Sequence, residues 1–155
     1  VASYLPAALT AIATAWEALT PTHRAERPYR RVTSQHRVPD GTSGVNVFWF
    51  ELPSTTAIVG LSSLSATLDY EVIARCRLTL AGVSIGDRPT VVADRVTQLM
   101  GAANRVVPPT GVRSIRCTGA GPHELLVDVD DDGNEIAAGD LDVIFAFTIR
   151  TEETD

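Results

Sequence analysis

The chain has 155 residues, enough for one domain with a sizeable core, since about 68–70% of the unfolded surface is buried at this size. Its 13 basic residues are all Arg and face 19 Asp plus Glu, and the formal net charge of −6 argues against a duplex-DNA binder with a basic stripe. At 45% hydrophobic and 21% charged it reads as globular material, and no apolar run approaches the ~20 residues that cross a bilayer.

Residues 1–19 place Leu5, Ala8, Leu9, Ile12, Trp16 and Leu19 on one stripe of a helix. Ser3 is the expected N-cap, and Pro6 is tolerated in the first turn. No basic region precedes the stripe, as a secretory signal would require, so the segment reads as a mature cytosolic start. Thr20-Pro21 ends the helix, and residues 21–29 read as a connector. The period then changes to two. Residues 30–38 read as a polar strand and 39–44 as a turn or loop. Residues 45–52, VNVFWFEL, form a strong strand with aromatics on both faces, which implies burial on both sides or an oligomer contact.

Residues 53–66 are apolar and Ser/Thr-rich and carry no periodicity that assigns an element. Residues 67–83 alternate cleanly, with Leu68, Tyr70, Val72, Ala74, Cys76, Leu78 and Leu80 opposite Asp69, Glu71, Arg75, Arg77 and Thr79. This is the pattern of a half-buried antiparallel strand. Asp87 or Thr90 caps a second helix whose expected inner stripe is Val92, Val96, Leu99, Met100 and Ala103. Three strands follow, at 111–118, 124–129 and 141–150, with residues 119–123 read as a turn between the first two. Residues 151–155 read as a frayed acidic tail. The order predicts a single α+β domain over 1–155. A largely antiparallel β-sheet carries the N-terminal helix and the second helix on one side.

Motifs for chemistry are sparse. Asp128, Asp130 and Asp132 with Gly133 supply the opening D-x-D-x-D-G of a calcium loop, but the twelfth position is Gly139 instead of a bidentate Glu. The flanks are strand-like, so an acidic hairpin tip is the preferred reading. Cys76 and Cys117 read as two small buried thiols, with a disulfide as the alternative. His23, His36 and His123 lack zinc spacing. No G-x-S-x-G elbow and no phosphate loop appear. Neither catalysis nor a cofactor is expected. Residues 24–37 carry five Arg against Glu26, whereas acids concentrate from Glu124 onward. Opposed patches of this kind can meet head to tail between copies, or stand as two solvated faces.

Taken in order, LPAALTAIATAWEAL, the Pro/Arg-rich connector, LDYEVIARCRLTLAGV, DRPTVVADRVTQLMGAA and DLDVIFAFTIRTEE resemble the tail terminator (tail completion) proteins of long-tailed bacteriophages. The likeness is one of length, order and pattern over most of the chain. It implies a structural virion protein, made in the host cytoplasm. Its homo-oligomeric ring, usually of six copies, sits at the head-proximal end of the tail, at the head–tail junction. Its partners would be the major tail tube protein and the head–tail connector or stopper protein, with DNA passing through the lumen without sequence-specific binding and no membrane. Arg30, Arg31 and Arg37 are then expected to meet acids of a neighbouring copy, and Phe48 and Phe50 to form the apolar part of the seam. Asp130, Asp131 and Asp132 are expected to face the lumen. The alternatives are another head–tail joining protein, such as a head-completion stopper or tube-associated neck protein, and a small calcium- or ligand-binding module.

Overall fold

A computed structural model describes residues 3–19, 29–32, 46–51, 53, 55–80, 83–84, 86–129, 132–133 and 135–154. The elements run α1 (Leu5–Glu17), β1 (Tyr29–Arg31), β2 (Asn46–Phe50), β3 (Thr55–Leu61), β4 (Ser65–Thr79), α2 (Arg88–Asn104), β5 (Val112–Val129) and β6 (Glu135–Thr154). The sheet order is β1-β2-β4-β6-β5, and β3 also pairs with β4. β6 lines one side of β4 from Ser65 to Thr79. The other side is shared: β3 takes the stretch from Ala66 to Glu71, and β2 the stretch from Ala74 to Arg77. All these pairings are antiparallel except β1 with β2. The expected α+β class, with both helices on one face of a largely antiparallel sheet, is the observed one.

The alternation in β4 and β6 decides which face the helices cover. Val72, Ala74, Cys76 and Leu78 pair with Phe147, Phe145, Val143 and Leu141, and all eight side chains are buried. Ala8, Ile12, Ala13 and Trp16 of α1 and Leu99, Ala102 and Ala103 of α2 pack onto this layer. Trp16 is the node. Its ring meets Phe48 at 5.1 Å and Phe145 at 5.2 Å edge-on, lies 5.9 Å from Phe147, and donates from Nε1 to the Leu99 carbonyl at 2.9 Å. One buried side chain thus ties α1 to α2 and to two strands.

Several sequence expectations are corrected here. The inner stripe of α2 is Val91, Arg95, Leu99, Ala102 and Ala103, with Val92, Val96 and Met100 only partly buried. The stripe is rotated because Arg95 turns inward. Its guanidinium donates to the carbonyl of Thr79, whose N–H donates to Asn46 Oδ1 at 2.9 Å. Both backbone groups are therefore satisfied where β4 ends, as buried polar groups must be. The segments at 111–118 and 124–129 are one strand, β5. The glycine–proline run at 119–123 is absorbed as register shifts against β6, because a bulge and a turn draw on the same residues. Residues 151–154 are not frayed. They complete β6 against β4, with Thr151 and Glu153 buried. Residues 53–66, left without an element, contain β3 and its turn. Tyr29, expected in the connector, begins β1 and is buried. Tyr4, not Ser3, sits at the N-cap of α1 and makes no side-chain cap bond.

Both cysteines are free and buried, as the preferred reading held. Burial pushes the Cys76 thiol far above its ordinary 9.0, and the Asp142 carboxylate adds to the rise; burial also raises Cys117. A thiol held neutral by the fold but free to ionise when unfolded makes stability fall as pH climbs past about 9. Native protein at pH 8 should resist alkylation, with Cys117 reacting before Cys76 and both reacting at once in denaturant, read by intact mass. A second expectation concerns Gly111, which has φ +82, and where an added Cβ would lie 2.4 Å from the Tyr4 ring. Gly111→Ala should cost about 1–3 kcal/mol in urea unfolding, from backbone strain and the clash together.

Candidate assembly surface

The sheet face opposite the helices is charged, and its charges answer one another across the strands. Arg77 lies opposite Asp142 in the register and forks onto both its carboxylate oxygens at 2.8 and 3.1 Å. Arg150 lies opposite Asp69 and makes the same two-bond contact at 2.8 and 2.9 Å. Arg75 donates to Glu51 at 2.6 Å. The Arg77 guanidinium also lies over the Trp49 ring, 5.8 Å from its centre. Val47 and Trp49 are buried on this face while Phe48 is buried on the other, so the two-faced aromatic strand is covered on both sides within one subunit. The arginines of β4 are thus occupied by carboxylates of the same subunit.

The expected interface residues separate. Arg30 is exposed on β1. Arg31 is exposed beside it, with its guanidinium 5.3 Å from the Phe50 ring centre. Phe50 is half-buried and stacks on Trp16 at 6.4 Å. Phe48 is corrected: it is fully buried against Trp16 and belongs to the core, so it has no surface to give a neighbour. Arg37, Asp130 and Asp131 lie outside the described residues, as do His23 and His36. Asp132 is exposed at the β5–β6 connection, beside Gly133 at φ +81, where Val129 pairs with Glu135. Of the three would-be calcium carboxylates Asp130 lies outside the described residues, and among those described no three His, Cys, Asp or Glu gather as metal ligands would.

Two features escaped the sequence reading. The first is β3. Ile58 is 66% exposed, Val59 48% and Leu61 78%, and the following Leu64 is 77% exposed. Among the described residues β3 pairs with β4 alone, so its outer edge is open. The sheet's opposite margin is closed differently: Asn104 of α2 accepts from the Cys117 N–H at 2.8 Å and donates to its carbonyl at 3.4 Å. A helix side chain thus caps β5 where a strand would otherwise add. Unprotected apolar edges are templates for pairing with another chain.

The second feature is a cleft of about 370 Å³ between the start of α1 and the β3–β4 turn, lined among others by Ser3, Ser62, Leu64, Ser65, Tyr70 and Glu153. The turn is set by Ser62, whose Oγ accepts from the Ser65 N–H at 3.1 Å while its own N–H donates to the Ser65 carbonyl at 2.8 Å. Glu153 is 6% exposed. Its Oε1 accepts from the Tyr4 N–H at 3.3 Å and from Thr151 Oγ1 at 3.0 Å. Its Oε2 is buried without a hydrogen-bond partner. The signal for it in the sequence was masked by the acidic run that reads as a tail.

No protein-family description matches this chain, and no curated protein matches it. Neither helix is long and apolar enough to cross a membrane.

The ion pairs differ in burial, which yields a test. The Asp142 side chain is only 4% exposed. Arg77→Ala would strand its charge and should cost about 3–5 kcal/mol. Arg150→Ala, at an exposed pair, should change stability far less. The Arg150 hydrogen bond holds the Asp69 carboxyl below its ordinary 3.8. The contribution of that pair is therefore present above pH 3.8 and is lost as pH falls through the lower folded value. Acid unfolding followed by circular dichroism should shift to higher pH in Arg150→Ala.

Proposed function

We propose that this chain is a structural subunit that works by joining copies of itself. The observation that carries the reading is β3, whose Ile58, Val59 and Leu61 are exposed and which, among the described residues, pairs with β4 alone. Exposed contiguous apolar surface of this kind marks a protein–protein contact. The sheet's charged face supports the same reading, because its arginines are spent on intramolecular carboxylates.

Within that class, the particular assembly we propose is the tail terminator ring of a long-tailed phage, which ends tube growth and presents a docking surface to the head connector. This reading rests on the resemblance noted above, and a net charge of −6 per subunit suits a collar through which DNA slides. A ring needs shape and two adhesive surfaces, not a reactive centre.

Native mass spectrometry of the purified chain should show a ring-sized species, and the protein should cap purified tail tubes seen in negative stain. Ile58→Lys, placing a charge on the open strand, should reduce the assembly to single subunits with little change in melting temperature, since the residue is exposed. A chain that stays monomeric at every concentration would sink the reading.

A further inference from the structure

We infer that the Glu153 cleft is a receptor for an arginine side chain of a second copy, and that Arg30 is that arginine. The inference rests on the self-assembly proposed above and names the contact. A carboxylate oxygen buried without a donor is costly, and a cation with hydrogen bonds to give offsets the cost. Glu153 Oε2 lacks a donor, and the cleft that Glu153 lines is bordered by Ser3, Ser62 and Ser65, with Tyr70, Leu64 and Leu68 as aromatic and apolar wall. A flat, weakly hydrated guanidinium fits such a mixed lining better than a compact ammonium, with N–H groups for the oxygen and a face for the ring. Oε2 is buried in the single subunit, so side chains lining the cleft must shift for the guanidinium to reach it.

The choice of occupant follows from charge. The chain contains no Lys, so any cationic side chain from a second copy is an Arg. Arg75, Arg77, Arg113 and Arg150 are held by carboxylates, Arg95 is buried, and Arg31 covers Phe50. Arg30 is exposed on the outermost strand, within the segment where five Arg face Glu26 alone. It also lies at the far end of the molecule from the cleft. Arg30 is level with Val47 and hence Arg77, whereas Glu153 is level with Ala66. At about 3.3 Å per residue, Ala66 and Arg77 stand roughly 35 Å apart along β4. Arg30 therefore cannot reach the cleft of its own subunit, but that of a neighbour placed end to end can.

The test measures assembly by sedimentation over a dilution series for the wild type, Arg30→Ala, Glu153→Gln and the double variant. Glu153→Gln keeps an acceptor for Tyr4 and Thr151 while removing the charge. Each single variant should weaken assembly by about tenfold or more, and the double should lose no more than the weaker single. Arg105→Ala and Arg116→Ala, at two other exposed arginines, should assemble as wild type. If Glu153→Gln fails to fold, Arg31→Cys copies mixed with Ser63→Cys copies provide a second route, since both contact residues stay in place. A disulfide should form in the mixture and not in either pool alone. Full assembly by the Arg30 and Glu153 variants, or no cross-link, overturns the contact while leaving the ring reading intact. A cross-link confined to a two-fold dimer keeps the contact and removes the ring.

Discussion

The position of the Trp16 indole constrains most of what is seen elsewhere. Its single N–H has to find an acceptor once the ring is buried, and the Leu99 carbonyl is that acceptor. The ring around that N–H is then packed by Phe48, Phe145 and Phe147, so α1 is fixed over β2 and β6 and α2, tied to it, over the β5 side of the sheet. What the helices do not reach follows. The opposite face must be stable in water and is built from cross-strand ion pairs. β3, attached to β4 beyond the helical cover, is left with its apolar side chains in solvent.

Polar groups at the ends of β4 show how a long strand is terminated in a small domain. At its C-terminal end the backbone leaves the sheet beneath α2, where no water is available, and Asn46 and Arg95 take the N–H and carbonyl of Thr79. The N-terminal end leaves through an exposed turn closed by Ser62 on itself. One end is thus sealed by residues from distant elements, and the other by a local device that leaves neighbouring surface uncovered. Glu153 sits beside that second end, half satisfied by Tyr4 and Thr151.

Much of the architecture was legible because the deciding forces were local. The alternation around Val72, Ala74, Cys76 and Leu78, and the matching run from Leu141 to Ile149, each name a face without reference to anything else. The spacing of Ala8, Ile12 and Trp16 does the same for α1. The failures have a common cause in tertiary context. Arg95 counts as polar in any helical pattern, yet the buried Thr79 carbonyl, sixteen residues away in the chain, decides that it points inward. Gly119 to Pro122 carries turn chemistry, and only the long partner β6 turns it into a bulge. Thr151 and Glu153 look like a charged terminus until β4 is seen to extend alongside them. Phe48 and Phe50, adjacent on one face, differ in role because Phe48 lies fully under Trp16 and Phe50 at its margin. β3 was illegible for the opposite reason: a strand exposed on both faces has no period to read.

The two margins of the sheet frame the functional argument. Proteins that remain single guard exposed strands with Lys, Pro, inward charges or a covering element. Here β5 is guarded by Asn104, whereas Thr55–Leu61 contains no charge and no Pro, and its one irregularity is the shift between Ile58 and Gly60. A chain able to protect one margin has left the other bare. Covering that bare strand with an identical copy requires the copy to offer something in return, and an end-to-end arrangement meets the requirement. The apolar strand and the half-satisfied carboxylate lie at one end of β4 and the exposed Arg30 of β1 at the other. In the proposed assembly each junction would consume one end of each partner and leave the opposite end for the next copy, so growth would stop only when the chain of subunits closed on itself.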